Sequence, residues 1–179
     1  ALDGNTTASN NVAVGIGALK DNTTGATNTA LGSEALNNNT TASNNVAIGA
    51  DALYSNTTGH SGVAIGANAL DANTTGIANI AIGVGALGVN TTAHDNTAIG
   101  QYSLDANTTG TRNVAVGNAS LSGNTTANDN TAIGVSALLA NTTASNNTAV
   151  GKSALSANTT GADNTAVLPV AVVLDAKAP

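Results

Sequence analysis

The sequence predicts an all-β fold, a parallel β-solenoid (β-roll) in which one 17-residue repeat forms each of about ten coils. Three observations support this prediction. The triplet Asn-Thr-Thr recurs ten times, from Asn5 to Asn158, and each start lies 17 residues after the last. Each repeat carries a short β-branched segment, which Gly follows in the nine complete repeats. The repeat is also much shorter than the roughly 33 residues that helical repeats need.

We number the repeat positions 1 to 17 from the Asn of the triplet, and we call each copy a rung. With a strand separation of about 4.8 Å, ten rungs predict a rod of about 45 to 50 Å. The array covers residues 1–167, in which residues 1–4 match the end of a preceding repeat. We therefore expect a processed product or an excerpt of a longer array. Residues 168–179 depart from the repeat and are expected to cap the open end.

Positions 8 to 10 predict a strand. Position 8 is always β-branched, position 9 is Ala in all ten rungs, and position 10 is always Val, Ile or Leu. Because successive side chains of a strand point to opposite faces, positions 8 and 10 share one face. We expect this aliphatic face to be the core. Ala at position 9 then indicates close packing on the other face, by a neighbouring subunit or a folded-back segment, rather than a small exposed face.

The remaining regular positions predict how the coil is closed. Gly at position 11 indicates a bend that needs positive φ or close backbone approach. Leu at position 15 occurs in every complete repeat and is expected to be the second core anchor. Asn at positions 1 and 7 predicts ladders of stacked amides, with a gap at Gly62. Positions 5, 6, 12, 13, 16 and 17 vary freely, so most are expected at exposed corners.

The composition narrows the class of protein. Only 1% of the 179 residues are aromatic and there is no Phe, Trp, Met or Cys, which argues against a thick globular core. The net charge is −6, and the four basic residues are scattered, so no patch is available for nucleic acid. The longest apolar run, in the C-terminal tail, is too short to span a membrane. The absence of Cys removes a disulfide framework and is neutral as to redox compartment.

No set of residues indicates catalysis, a cofactor or a metal. His60 and His94 share position 5 but lie two rungs apart, roughly 9 to 10 Å, which is too far to share a zinc ion. Three Asp residues share position 6 on every second rung, so no close acid and base pair arises: Asp95, Asp129 and Asp163. We expect solvated corners at both positions and no enzymatic activity.

Candidate contact residues lie instead at the variable corners. Tyr suits contact with a surface or a carbohydrate receptor, and the irregular charged side chains could add to such contact. The candidates are Tyr54, His60, His94, Tyr102 and Arg112.

The Asn-Thr-Thr triplets allow two further interpretations. Each triplet is a glycosylation sequon, but glycans at a spacing of about 4.8 Å would crowd, so a structural Asn ladder explains the regularity better. The Thr at position 2 could also form a rank that orders water, as in an ice-binding solenoid. Adjacent Thr point to opposite faces, however, which leaves one outward rank per coil. The candidate rank is Thr6, Thr23, Thr40, Thr57, Thr74, Thr91, Thr108, Thr125, Thr142 and Thr159.

A resemblance to fibre proteins covers residues 1 to about 167. The run Asn130-Thr131-Ala132-Ile133-Gly134, followed by Ala137-Leu138 and Asn141-Thr142-Thr143, resembles the repeat arrays of bacterial and phage tail-fibre-domain proteins. Asn45-Val46-Ala47-Ile48-Gly49 is similar to the head repeat of trimeric autotransporter adhesins, although the present repeat is longer. That family implies a left-handed parallel β-roll, association of three chains and adhesion to surfaces.

Together these features predict a non-enzymatic rod of an extracellular, cell-surface or virion fibre, which gives rigid spacing and multivalent attachment as a homotrimer. Two alternatives stay open. One is an ice-binding solenoid that uses the Thr rank. The other is a self-assembling extracellular filament, in which the incomplete first repeat is completed by a neighbour's last coil.

Overall fold

The protein is a parallel β-solenoid, in a computed structural model that describes residues 1–168. Ten strands of three residues stack in chain order into one sheet, and all nine pairings are parallel. The strands are β1 Val12–Val14, β2 Thr29–Leu31, β3 Val46–Ile48, β4 Val63–Ile65, β5 Ile80–Ile82, β6 Thr97–Ile99, β7 Val114–Val116, β8 Thr131–Ile133, β9 Thr148–Val150 and β10 Thr165–Val167. The all-β solenoid prediction is therefore confirmed, with about nine full coils between the first and last strands. The predicted cap, apart from Leu168, lies outside the described residues.

Each residue pairs with its equivalent 17 positions along the chain. Ala47 of β3, for example, pairs with Ala30 of β2 and Ala64 of β4. Backbone hydrogen bonds between rungs continue outside the strands. The Thr23 amide donates to the Thr40 carbonyl at 2.9 Å, and the Leu36 amide donates to the Ala52 carbonyl at 3.0 Å. The whole outline of the coil is therefore held in register, not the strand alone.

The predicted ladder of Asn side chains at position 1 is confirmed. The Nδ2 group of each Asn donates to Oδ1 of the Asn in the preceding rung, over distances from 2.8 Å (Asn39 to Asn22) to 3.4 Å (Asn141 to Asn124). The same Nδ2 group donates within its own rung to the position 4 carbonyl, as Asn39 does to Ala42 at 3.0 Å. Both amide hydrogens are thus used, which lets a polar side chain be fully buried without an unpaired donor.

Asn at position 7 forms a different ladder. Here Oδ1 accepts from the backbone amide of the next rung, as Asn28 does from Asn45 at 2.9 Å. Up to Asn113, Nδ2 donates to the next rung's position 4 carbonyl, whereas in the last three rungs it donates to Oδ1 of the preceding Asn. Gly62 interrupts this ladder, as predicted. Its own amide still donates to Asn45 Oδ1 at 2.8 Å. Because Gly62 has no side chain, the Asn79 amide lacks the acceptor that this position supplies in other rungs.

The alternation of the strand is confirmed, but the prediction that its aliphatic face forms the core is wrong. Ala at position 9 is fully buried in β2 to β9, whereas positions 8 and 10 point outward. The reason is the small cross-section of a 17-residue coil. Leu at position 15, Ala or Ser at position 14 and the two Asn ladders already fill the interior, so only a methyl group fits opposite them. The expected close neighbour of position 9 is the coil's own core.

Leu at position 15 is the largest buried apolar side chain, which confirms its role as a core anchor. It adopts positive φ in every rung, between 49° and 57°, as do the residues at positions 6 and 13. Gly at position 11 has φ between 120° and 145°, which confirms the predicted bend. A Cβ on Gly49 would also lie 2.5 Å from the carbonyl oxygen of Gly66, so this corner requires Gly for space as well as for φ.

Replacing Gly62 by Asn should restore the interrupted ladder. The new Oδ1 would accept from the Asn79 amide, and Nδ2 would face the Gly76 carbonyl, as in the other rungs. One buried hydrogen bond contributes about 1 kcal/mol, and loss of a Gly adds about 0.4–1 kcal/mol through the unfolded chain. We expect Gly62→Asn to raise the free energy of unfolding by about 1–2 kcal/mol, measured by chemical denaturation.

The matched control is Asn113→Gly, which introduces the same gap three rungs away. We expect it to lower stability by a similar amount. If both variants shifted the denaturation midpoint in the same direction, the ladder at position 7 would not be a source of stability.

The finding that position 9 faces the core and position 10 faces outward can be tested by enlarging one side chain at each position. Ala81 is fully buried, so Ala81→Val should overpack the coil and destabilise it by about 1–3 kcal/mol. Val116→Ile adds one methylene at position 10, where Ile occurs in five other rungs, and should have little effect. Thermal unfolding of both variants checks this, and equal midpoints would contradict the inward orientation of position 9.

Candidate functional site

The outward face of the strands is the first candidate surface. We call the side chains at positions 8 and 10 of β1 to β10 the strand face. It contains only Val, Ile, Leu and Thr, with no charged residue in any rung. Ten rungs at about 4.8 Å extend it over about 43 Å. The strand face is therefore an uncharged strip with an aliphatic side chain at position 10 of every rung.

The strand face is only partly covered by the chain itself. Leu31 is 46% exposed, Ile99 38% and Ile133 40%, and the remaining position 10 side chains in β3 to β9 are half-buried. Position 8 is half-buried from β2 to β9, with Thr in place of Val or Ile in five of the ten strands. Each of these side chains is covered in part by its equivalents in the neighbouring rungs. The face therefore stays accessible from outside over its full length.

The second candidate is a cavity of about 240 Å³ at a corner of rungs 3 and 4. We call it the corner groove. It lies between position 13 and positions 16 and 17, and its lining is Asp51, Tyr54, Ser55, Asn68, Asp71 and Ala72. It brings together an aromatic ring, two carboxylates, an amide and a hydroxyl. All come from freely varying positions, so this chemistry is not repeated in the other rungs.

Burial shapes the charge of the corner groove. Partial burial raises the pKa of Asp71, and the nearby Asp51 carboxylate raises the pKa of Asp71 further. No Lys or Arg of the described residues lines the cavity. The groove is therefore acidic and half-desolvated, which strengthens hydrogen bonds to its carboxylates.

Rung 5, which follows the corner groove along the rod, has Gly at both positions 13 and 16. A Cβ on Gly85 would lie 2.8 Å from Cδ1 of Tyr102, so the Tyr102 ring lies over this glycine. A Cβ on Gly88 would lie 3.5 Å from Asp71 Oδ1, so this carboxylate reaches toward the same rung. Tyr54 approaches from rung 3 and Tyr102 from rung 6. The only two aromatic side chains of the protein therefore converge on rungs 4 and 5.

The other candidate contact residues lie apart from this groove. His60 and His94 are exposed, and within residues 1–168 the side-chain partner of His60 is Ser61 Oγ, at 3.2 Å from Nδ1. Arg112 is held by Asp129 in the next rung through two hydrogen bonds of 2.7 and 2.8 Å. This pairing lowers the pKa of Asp129.

Two of the three Asp at position 6 take part in contacts between rungs. Asp129 accepts from Arg112, and Asp163 accepts from Asn146 Nδ2 at 3.0 Å. Residues 1–168 contain no group of three or more His, Asp or Glu side chains arranged to hold a metal ion.

The Thr rank at position 2 is engaged in the coil. From Thr6 to Thr142, each hydroxyl donates to the backbone carbonyl of the Thr one rung further, for example Thr23 to Thr40 at 2.9 Å. The Thr at position 3 is instead exposed in all ten rungs. The outward rank of the triplet is therefore the neighbouring one, Thr7, Thr24, Thr41, Thr58, Thr75, Thr92, Thr109, Thr126, Thr143 and Thr160.

The sequon Asn side chains are inaccessible in most of the folded array. Eight of the ten are at most 2% exposed and use Nδ2 for the ladder, namely Asn22, Asn39, Asn56, Asn73, Asn90, Asn107, Asn124 and Asn141. A glycan on Nδ2 would replace a donated hydrogen and require space that the coil does not have. Only Asn5 and Asn158, in the first and last rungs, are less covered.

Comparison with protein-family models, curated proteins and solved structures gave no match. In the described part of the chain no helix is long and apolar enough to cross a membrane. The assignment of function therefore depends on the two surfaces themselves.

The sequence pattern placed Tyr54 and Tyr102 at the corners but did not bring them together. It also missed Asp51, Asn68 and Asp71, because single carboxylates and amides at variable positions carry no spacing signal. A tabulation by repeat position would have shown that positions 13 and 16 hold both tyrosines and, in rung 5, two glycines. That signal is visible only when these two positions are known to face each other.

Asp105, at position 16 of the rung that carries Tyr102, has a buried oxygen, Oδ1, with no hydrogen-bond partner among the residues that the structure describes. Burial raises the pKa of Asp105. A raised pKa in the folded state means that stability is highest when the group is protonated and is lost as pH rises through that pKa. We expect Asp105→Ser, which copies Ser122 of the next rung, to raise Tm by a few degrees at pH 7, and we expect this gain to shrink near pH 3.

Asp129→Ser provides the opposite control, because pairing with Arg112 lowers the pKa of Asp129. Its carboxylate contributes stability at neutral pH that is lost as pH falls through its lowered pKa, so the variant should be less stable at pH 7, and the difference should shrink on acidification. Thermal unfolding at both pH values checks the pair. A loss of stability in Asp105→Ser at pH 7 would mean that the carboxylate has a stabilising partner.

Proposed function

We propose that the protein is a non-enzymatic rod segment of an extracellular, cell-surface or virion fibre, in which three copies associate through the strand face. The observation that carries this proposal is the outward orientation of the aliphatic side chains in all ten strands. The rod would hold its variable corners at fixed spacing for attachment to a surface.

The size and character of the strand face support self-association. A strip about 43 Å long and about 10 Å wide covers roughly 400 Å², within the range of 300–600 Å² of the largest apolar patches on monomers, which often mark interaction sites. A second copy of the same rod is a suitable occupant because its strip has the same length, the same rung spacing and no charge. Three strips around one axis would bury the Val and Ile ranks that the thin coil cannot enclose.

The regularity of the coil supports a spacer role. Hydrogen bonds between rungs run along the strands, the Asn ladders and the Thr hydroxyls, so no hinge interrupts residues 1–168. Weak corner contacts repeated along such a rod and across three chains would combine into avidity. Contacts that are weak one by one would then suffice for attachment.

The ice-binding alternative receives less support. Its rank of Thr at position 2 has hydroxyls committed to backbone carbonyls, and position 3 supplies a single exposed rank rather than a paired one. The strand face has Thr in half of its position 8 sites and none at position 10. Self-association accounts for the aliphatic rank, which ice binding does not require.

The proposal predicts the mass of the protein in solution. Light scattering should give three times the chain mass of 17.1 kDa, without change on dilution. Ile65→Asp combined with Ile99→Asp should convert the assembly to monomers, because buried unpaired carboxylates would face each other across the axis. Circular dichroism should show the same β content, since both side chains point away from the core.

Leu139→Asp is the matched control, because Leu139 is exposed at position 16, away from the strand face. It should leave the mass unchanged. A monomeric parent that shows thermal hysteresis would favour the ice-binding alternative, and a mass that grows with concentration would favour the filament. Either result would refute the trimer.

A further inference from the structure

We propose that the corner groove, together with Tyr102, binds a short segment of a polysaccharide or glycan chain. This inference rests on the attachment role proposed above and gives it a target class and a location. It depends on the convergence of both tyrosines on one stretch of an otherwise regular rod.

The arrangement of aromatic rings is the first argument. Tyr54 lines the cavity with residues of rung 4, and Tyr102 lies over Gly85 of rung 5. The two tyrosines are 37% and 48% exposed, so each presents part of its ring to solvent. The rungs that carry them are three steps apart, roughly 14 Å, which is more than one sugar ring and suits a chain of a few units. The apolar faces of sugar rings pack on such exposed aromatic surfaces.

The polar groups between the rings are the second argument. Asp51, Asn68 and Asp71 supply planar acceptors and an amide donor, which can hydrogen-bond to adjacent hydroxyl groups. Ser55 adds a group that donates and accepts. A phosphate or sulfate ligand is disfavoured because the lining contains two carboxylates and no basic residue. A neutral, hydroxyl-rich ligand fits this combination, and so does an amino sugar.

The glycines of rung 5 are the third argument. At position 13, rung 5 carries Gly85 and rung 1 carries Gly17, whereas the other complete rungs carry Glu, Asp, Asn, Tyr, Ala or Ser. At position 16, Gly88 replaces the Lys, Asn, Tyr, Asp, Ser or Leu of the other rungs. No side chain therefore fills the floor between Asp71 and Tyr102. In rung 2, by contrast, Glu34 and Asn37 at the same two positions hydrogen-bond to each other. Among the complete rungs, rung 5 is the one in which both positions are Gly.

The groove and the strand face are compatible. The bend at position 11 separates positions 8 to 10 from positions 13 to 17, so the groove lies outside the proposed trimer contact. Each chain of the proposed trimer would contribute one such groove, and three grooves on one rod would bind a surface glycan more tightly than one.

Tyrosine fluorescence tests this directly, because the chain has two Tyr and no Trp, so the signal comes only from the groove. We would titrate the full chain with chitotetraose, cellotetraose and maltotetraose and confirm contact by saturation-transfer NMR. At least one should give a saturable change with a Kd of about 1 mM or lower. Tyr54→Asn and Tyr102→Asn, which copy Asn37 and Asn68 at the same positions, should each weaken binding by about tenfold or more.

Two controls separate this inference from the proposed trimer. Leu139→Ser alters another position 16 side chain far from the groove and should bind like the parent. The Ile65→Asp, Ile99→Asp double variant should still bind the sugar per chain even as a monomer, and both Tyr variants should keep the parent's mass. The glycan site is refuted if none of the three sugars binds, or if binding survives both Tyr variants.

Discussion

The fold depends on the buried Asn amide at position 1, which joins each rung to the one before it. Each Nδ2 group has two hydrogens, and one bonds within the rung while the other bonds to the preceding Asn. The arrangement works only if the next Asn follows 17 residues later and occupies the same place in the next coil. A single insertion would leave a buried amide without a partner, at a cost of about 1–3 kcal/mol. The unbroken spacing of the ten triplets follows from this requirement.

The same narrow coil explains the unusual backbone of Leu at position 15. A non-glycine residue in the left-handed region costs roughly 1–2 kcal/mol, and burial of a Leu side chain returns about 1.5–3 kcal/mol. The conformation persists because it turns the largest apolar side chain into an interior too small for a conventional core. Ala at position 9 fills the remaining space, and Val and Ile on the same strand are directed outward. The apolar strand face is thus a consequence of the coil's small cross-section.

These relations show which features the sequence could predict. Repeat length, strand location, the parallel stack and the Asn ladders follow from spacing and residue type alone. Which face of the strand packs in the core does not follow, because an alternating pattern defines two faces without saying which one is inside. Hydrophobicity predicted that the aliphatic face packs in the core, but the interior of the coil has too little volume for Val and Ile beside the Leu at position 15. Likewise the pattern located Tyr54 and Tyr102 at corners, but their convergence depends on positive φ at positions 13 and 15, which residues such as Leu53 and Tyr102 do not signal.

The regular positions of the repeat build the coil, and the variable positions form the surface to which the proposed roles are assigned. Position 1 is Asn in all ten rungs, since a change in one rung would remove a hydrogen-bond partner from the next. Positions 13 and 16 are free of that constraint, and in rungs 3 to 6 they hold both aromatic rings, three carboxylates and the two glycines of rung 5. A purely structural role for the rod does not account for the placement of both tyrosines near one groove. In the proposed trimer the strand faces would be covered and the grooves would point outward, so that assembly multiplies the attachment sites without occupying them.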